Sequence, residues 1–528
     1  MPKSLKDALV ALSLSSLCFI SAWQVLLNSG HYSYYFWQHY PGFTELIALG
    51  LDVLLLALVF WLGITIVRRT GSKLLMKCAS IVFLLIFIIP LNSLRMGKDL
   101  TGANLFGQLG KTKLILLGLL ALVIAFLIFK FWLRQVTKFA VSLLLILSPF
   151  VLIAFSQGVW LAAKHRTNAG LFNPKQPASK LSAEKPSGPH VLWIIFDELD
   201  QRVLFDARPE ATTVSEFERF RNESLYADNA YPPAGETLQS MPTLITGRLA
   251  TALPIPVRPD ESMMMFEGGQ QPEGWSTQPN IFSKARAAGF KTALIGWYQP
   301  YCRIIGDDLD VCHWETLVHQ ANPVPDDLSL FNSMRVWARD TLFRVPLMFR
   351  VLEKFYSKEM REYHIGSYLR LMNKAQTIVR DRSINLALIH LPVPHHPFIY
   401  DRARDALSPT TDNVYADNLE LADRALGELR RSMEADGTWD STTIVITSDH
   451  WWRESNPVNG KRDHRIPFMF KLAGQNEALT YHQPFNTILT QDLLLACLNG
   501  ELKNHGHVVQ WLDQHRSIAE SPYTKDLP

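Results

Sequence analysis

Hydrophobic positions follow two different patterns along this chain. In the first third, residues 8–27, 45–67, 74–93, 114–133 and 139–163 are nearly unbroken apolar stretches. Each approaches the roughly 20 residues that carry a helix across a bilayer. The pattern predicts five transmembrane helices, with the two chain ends on opposite sides. A cleaved signal peptide is the rival reading of the first stretch, but no small-residue cleavage site clearly follows it and further spans come behind it. Lys3, Lys6, the V-R-R-T-G-S-K segment at 67–73, Lys130, Arg134 and Lys138 mark the cytoplasmic ends by the positive-inside rule. Arg95, Lys98, Lys111 and Lys113 in the loop 94–113 weaken that contrast without reversing it. The C-terminal part is thereby expected outside the cytoplasm.

The second pattern begins after residues 164–189, which are rich in Lys, Pro, Ser and Asn, lack apolar periodicity and read as a linker. Here the apolar positions come in short β-branched runs: V-L-W-I-I-F at 191–196, L-A-L-I at 386–389 and T-I-V-I-T-S at 443–448. Such runs predict parallel strands buried on both faces, with helical patterns such as 212–224 between them. The expected organisation is a five-helix transmembrane domain (1–163), a linker (164–189) and an extracytoplasmic α/β domain (190–528). About 340 residues are ample for one such domain with its own core.

Each of the three runs ends in a residue that can bind a metal: Asp197, His390, and Asp449 with His450. In open α/β sheets the ligand crevice lies at the carboxyl ends of the strands, so one sheet edge would gather carboxylates and imidazoles. Oxygen and nitrogen donors together favour zinc, with manganese as the alternative, over an oxygen-bound calcium. The net charge of +3 gives no polyelectrolyte character, and no nucleic-acid partner is expected. Of the five cysteines, Cys18 and Cys78 fall in apolar spans and Cys497 reads as a buried helix residue. Cys302 and Cys312 flank a short polar loop and read as a local disulfide in an oxidising compartment, a shared metal being the alternative.

The segment from Thr237 to Gly247, T-L-Q-S-M-P-T-L-I-T-G, resembles the active-site signature of the sulfatase-like branch of the alkaline phosphatase superfamily. In that branch a nucleophile is followed by Ser at +3, Leu at +7 and Thr-Gly at +9 and +10, places filled here by Ser240, Leu244, Thr246 and Gly247. The resemblance continues through H-L-P-V-P-H-H-P-F at 390–398, the helix pattern Y-A-D-N-L-E-L-A-D-R-A-L-G-E-L at 415–429 and the run ending in Asp449-His450. It implies an α-helical transmembrane bundle followed by an alkaline-phosphatase-like domain. Sulfatases of the branch carry a Cys or Ser that is oxidised to formylglycine, with a neighbouring Pro and Arg, whereas this chain has Thr237, Gln239 and Met241 at those places. A threonine looks like the membrane-anchored transferases of phosphoethanolamine or phosphoglycerol, such as lipid A phosphoethanolamine transferases and lipoteichoic acid synthase.

That resemblance implies Thr237 as nucleophile and Asp197, Thr237, Asp449 and His450 as ligands of a divalent cation. A bound cation lowers the pKa of a hydroxyl that is a poor nucleophile at neutral pH. The expected partners are a phospholipid donor and an envelope glycan or lipid acceptor, in a bacterial inner membrane with the catalytic domain on the periplasmic side. His390, His395 and His464 match positions that hold the transferred group or a second metal, and imidazole can move protons near neutral pH. His396 could stand in for His395, and Glu198 for Asp197. Two other functions share the same residues: a phosphodiesterase or phosphatase with water as acceptor, and an inactive lipid-binding regulator.

Three further features depart from the family pattern or stand outside it. Trp451 and Trp452 follow the Asp-His pair where glycine is usual, and could stack on an acceptor or cover the metal. Residues 333–357 interleave Arg and Lys with large apolar side chains, as a membrane-interface helix or a helix packed on the protein's own core would. The aromatic run H-Y-S-Y-Y-F-W-Q-H-Y at 31–40 reads as an interfacial belt.

Overall fold

The computed structural model describes residues 2–28, 32–37, 39–97, 116–117, 119–120, 123, 126–175, 188–316, 329–410, 412–455 and 463–516. The chain forms two compact units. One comprises Met1–His31, Gln38–Gly170 and Val324–Phe355, the other Tyr32–Trp37, Leu171–Pro323 and Tyr356–Pro528.

In the first unit, the helices Phe43–Thr70, Lys73–Leu94 and Lys130–Thr167 are long and apolar enough to cross a membrane. Lys3–Cys18 and Ile20–Leu27 form a pair bent by 68° that would make a fourth span. Residues 114–115, 118, 121–122 and 124–125 of the stretch expected at 114–133 lie outside the described residues, and among the described residues three spans, or four with the bent pair, are seen where five were predicted. Arg68 pairs with Asp7, which lets a carboxylate buried in this helix bundle keep a partner. The helix Leu330–Phe343 buries Ser333, Val336, Trp337 and Thr341. Trp337 Nε1 donates to the Glu45 carbonyl at 3.1 Å, and Ser21 Oγ donates to Asp340 at 2.6 Å. This part of the basic amphipathic segment therefore packs on the protein's own helices, and Pro346 opens a second helix, where its missing N–H costs nothing.

The second unit is built on one mixed sheet. Its strands are β1 (His190–Phe196), β2 (Leu225–Tyr231), β3 (Thr292–Tyr298), β4 (Val311–Thr316), β5 (Leu386–Leu391), β6 (Thr442–Ser448), β7 (Ile466–Lys471), β8 (Leu479–Tyr481) and β9 (Phe485–Asn486). The order is β8-β2-β7-β6-β1-β5-β3-β4, with β9 also pairing β2. Strands β6, β1, β5, β3 and β4 are mutually parallel, and β7 runs antiparallel to β6 and β2. The three runs recognised in the sequence are adjacent at its centre, and all six described positions of β5 and all seven of β6 are buried. A strand covered on both faces cannot alternate polar with apolar residues, which is why these runs are unbroken. One helix layer packs on this sheet through Leu419, Ala422, Leu426 and Leu429 of the helix Tyr415–Ala435, at 0–1% exposure against Ile194, Ile444 and Met469.

Residues 32–37 of the aromatic run belong to this unit, where Tyr34, Tyr35, Phe36 and Trp37 are all buried. Buried hydrogen bonds hold their backbone, a destination that an aromatic composition does not reveal. Cys302 and Cys312 are joined by a disulfide, and Cys497 is buried in the helix Thr490–Leu498.

Candidate active site

Strand register brings the sequence-predicted residues together. Phe196 pairs with Ser448 of β6 on one side and Leu391 of β5 on the other, so the three central strands end level. Asp197 leaves the end of β1, Asp449 and His450 leave the end of β6, and His390 lies one position inside the end of β5. Ser448 Oγ fastens the two central ends by donating to the Phe196 carbonyl at 2.8 Å and accepting from the Leu199 amide at 2.8 Å.

Thr237 opens the helix Thr237–Thr246, whose first N–H groups have no partner within the helix and favour negative charge. Gly247 ends that helix with φ +67°, and a Cβ there would lie 2.7 Å from Gln491 Nε2. Glycine is required on both counts, which accounts for its place in the signature. Ser240 Oγ donates to the Asp449 carbonyl at 2.5 Å, pinning the helix to the end of β6.

Four buried donors converge. Thr237 Oγ1 lies 3.4 Å from Asp197 Oδ1 and 3.3 Å from His450 Nε2. His450 Nε2 lies 3.7 Å from Asp197 Oδ1 and 3.5 Å from Asp449 Oδ2. A tetrahedral cation with bonds of about 2.1 Å sets its ligands about 3.4 Å apart, so the spacing suits such an ion. Asp197, Asp449 and His450 have no exposure and Thr237 only 5%. Among the described residues, Asp449 Oδ2 has no hydrogen-bond partner, an arrangement that costs free energy unless a cation meets it. His450 Nδ1 faces the Trp451 carbonyl at 2.9 Å. That bond places the ring proton on Nδ1 and leaves the Nε2 lone pair to the cluster. Burial, and then the carboxylates of Asp449 and Glu198, push the Asp197 carboxyl well above its usual range, opposed by the hydrogen bond from Trp297.

Glu198, His395 and His396 form a second group whose donor atoms lie within 4.8 Å of one another. Glu198 has φ +65°, a left-handed conformation that a non-glycine residue adopts at a cost. It also takes an ion pair from Arg453 Nε at 3.0 Å. The backbone of this corner is tied down: the His395 amide donates to the Asp197 carbonyl at 3.1 Å, and Asn418 Nδ2 donates to the His395 carbonyl at 3.1 Å. His395 Nδ1 bonds the His396 carbonyl and its ring stacks on the His396 ring at 4.4 Å. Burial and the neighbouring His396, His364 and His450 hold His395 well below the ordinary histidine value.

His390 has no exposure, its Nδ1 lies 3.0 Å from the Tyr301 hydroxyl, and among the described residues its Nε2 has no hydrogen-bond partner. Burial lowers its pKa to about 4, so it is neutral near pH 7. Tyr301 can approach because Gly296 of β3 has no side chain: a Cβ there would lie 2.5 Å from the Tyr301 ring. His464 is half-buried, its ring 4.1 Å from that of Trp451. Trp452 stacks on Tyr415 at 4.0 Å and 10°, and the Tyr415 hydroxyl donates to the Glu198 carbonyl at 2.7 Å. The two indoles thus pack on side chains of the site itself.

Trp297, Gln299, Tyr301 and Arg453 were not singled out from the sequence. Trp297 Nε1 donates to Asp197 Oδ2 at 2.5 Å, tying the cluster from its outer side. Its signal was available: T-A-L-I-G-W-Y at 292–298 is another apolar run ending in polar residues.

Residues 189–496, more than half of the chain, match the family described as Sulfatase. No curated protein sequence matches. Among solved structures, the lipoteichoic acid synthase LtaP from Listeria monocytogenes is 10% identical, with a TM-score of 0.38 over 63% of this chain and 77% of that one. A phosphonate monoester hydrolase of Agrobacterium radiobacter is 14% identical, with a TM-score of 0.37 over 59% and 74%. A protein in the alkaline phosphatase superfamily from Vibrio parahaemolyticus is 12% identical, with a TM-score of 0.37 over 60% and 67%. Likenesses of this size transfer no residue roles.

Proposed function

This chain belongs to the sulfatase family, within the sulfatase-like branch of the alkaline phosphatase superfamily, whose members are enzymes that use divalent metals; from that premise we propose that it transfers a phospholipid head group, phosphoethanolamine or phosphoglycerol, to an envelope glycan or lipid. The observation that carries the reading is the Thr237 hydroxyl, buried within 3.4 Å of Asp197 and 3.3 Å of His450 where a sulfatase would carry an oxidised Cys or Ser. Threonine keeps an alcohol there, and an alcohol forms a phosphoester.

Asp197, Thr237, Asp449 and His450 would hold the cation, zinc in first place and manganese as the alternative, which supplies charge neutralisation and a lowered hydroxyl pKa. In the first half-reaction Thr237 Oγ1 attacks the phosphorus of the donor, and the bond from phosphorus to the diacylglycerol oxygen breaks. The threonine proton is taken up by a base, and the departing oxygen receives a proton. In the second half the acceptor hydroxyl attacks the phosphothreonine, and Thr237 Oγ1 leaves. His390 and His395, both neutral at pH 7, are suited to accept the incoming hydroxyl's proton or to hydrogen-bond the phosphoryl oxygens. His464, less buried and beside Trp451, suits contact with the transferred group. We place the helical part in a bacterial inner membrane with the catalytic unit outside the cytoplasm, five spans being the expectation from the sequence.

The test is peptide mass spectrometry on the purified full chain after incubation with phospholipid and zinc or manganese. A head-group phosphate adduct on Thr237, absent in Thr237→Ala and discharged by an acceptor, is expected. Discharge by water alone would make the protein a phosphodiesterase. Lipid bound without any adduct would make it a regulator.

A further inference from the structure

The loop Tyr32–Trp37 follows the bent helical pair in sequence and precedes the helix Phe43–Thr70, yet it belongs to the catalytic unit. Its backbone is held by buried side chains of that unit. Arg303, with no exposure, donates from Nη1 to the Trp37 carbonyl at 2.7 Å and from Nη2 to the Tyr35 carbonyl at 2.6 Å. Thr316 Oγ1 donates to the Phe36 carbonyl at 2.6 Å. The Phe36 ring meets the Tyr298 ring edge-on at 5.5 Å, and Tyr298 holds φ +76°, a strained conformation that turns the chain directly before Gln299.

Gln299 is where this loop meets the nucleophile's helix. Pro242 lies inside the helix Thr237–Thr246 and has no N–H, so the carbonyl four residues earlier, that of Leu238, lacks its helical donor. Gln299 Nε2 supplies one, at 3.2 Å, and lies 3.4 Å from the Thr237 carbonyl. The other end of the same amide, Oε1, accepts from the Tyr35 hydroxyl at 2.6 Å. Both Gln299 and Tyr35 are buried, at 0% and 1% exposure. With the NH2 turned to the helix, the amide oxygen would be buried at a cost without a donor of its own, and Tyr35 is that donor. Burial keeps the Tyr35 phenol protonated, its pKa well above the ordinary value.

We infer that Tyr35, a residue of the loop between the membrane helices, is a positioning residue for the reaction: through Gln299 it fixes the first turn of the helix that carries Thr237. The inference rests on Thr237 being the nucleophile, and it makes the loop a working part of the catalytic unit.

The test uses the full chain in detergent or nanodiscs, with Tyr35→Phe, Gln299→Leu, the double variant and Thr316→Val. Tyr35→Phe removes one oxygen and keeps the ring in place. Hydrogen exchange over residues 236–242 is expected to rise about tenfold, because a buried acceptor loses its donor. Turnover of phospholipid is expected to fall about tenfold in kcat, with KM and metal content unchanged. The double variant should be no slower than Gln299→Leu alone, since the two act through one amide. Thr316→Val loosens the same loop without touching Gln299 and should leave kcat within about twofold. Unchanged exchange in Tyr35→Phe, multiplying losses in the double variant, or an equal loss of kcat in Thr316→Val would each overturn the inference. If the wild-type chain turns over no phospholipid, the transfer reading fails, while the exchange measurement still decides the Tyr35–Gln299 link.

Discussion

Replacing Trp297 by Phe isolates one interaction at the cluster. The indole Nε1 donates to Asp197 Oδ2 at 2.5 Å, while the other oxygen of that carboxylate faces Thr237 and His450. Phenylalanine retains a ring against His364, which meets the indole edge-on at 5.1 Å, and removes only the donor and part of the ring volume. A hydrogen bond to a charged group contributes about 1.5–3 kcal/mol. At ~1.4 kcal/mol per tenfold, the carboxylate should hold a divalent cation roughly 10–100-fold more weakly, the range seen for outer partners of metal ligands. The loss should grow as pH falls, because burial and the neighbouring carboxylates already raise the Asp197 pKa, and the Trp297 hydrogen bond is the larger of the two influences, with Arg453, that oppose them. The assay is a competition titration of zinc or manganese against a chelator on purified full-length protein, wild type and Trp297→Phe, at pH 7.5 and 6.5. Thermal unfolding of the metal-stripped proteins measures the cost of the smaller ring separately. Cation affinity within about threefold of wild type at both pH values would refute the reasoning, since it would mean that ~0.7 kcal/mol or less passes through this bond.

Gly296→Ala should displace Tyr301 from His390, because the new methyl would lie 2.5 Å from the Tyr301 ring. Strain in a closely packed core costs about 1–3 kcal/mol, visible as a lower unfolding midpoint together with a changed His390 resonance in imidazole NMR. His364, buried beside Trp297 and facing His396 and Arg361, has its pKa pushed down to about 3 by burial. Its folded pKa lies below the unfolded one of about 6.5, so above that value it contributes no pH dependence. Stability is lost as pH falls from there toward 3, at up to ~1.4 kcal/mol per pH unit. His364→Leu should therefore reduce the drop in unfolding midpoint between pH 7 and pH 5 by roughly 4 °C, about 2 kcal/mol. An unchanged drop would assign the acid sensitivity to His390 and His395, whose pKa values are also depressed.

The sequence by itself determined the parts whose physics is local. Buried parallel strands must be continuously apolar, so the runs before Asp197, His390 and Asp449 could be recognised and ended level at the centre of the sheet. The spacing of Ser240, Leu244, Thr246 and Gly247 after Thr237 was legible as a signature, while the helix it forms and the reasons for its closing glycine, φ +67° and the approach of Gln491, came from the structure. Candidate membrane helices announce themselves by length and apolarity, and three of them, or four with the bent pair, appear among the described residues. Tertiary structure decided what depends on residues far apart in the chain. It brought the Trp297 indole to Asp197 across 100 positions and the Tyr35 hydroxyl to Gln299 across 264. Aromatic composition at 31–40 suits a membrane interface and a protein core equally, since both reward ring burial with one polar end satisfied. Only the partners, Arg303, Thr316 and Gln299, distinguish the two, and partners are a property of the fold. The same holds for Leu330–Phe343, whose amphipathic face fits lipid or protein until Glu45 and Ser21 are found against it.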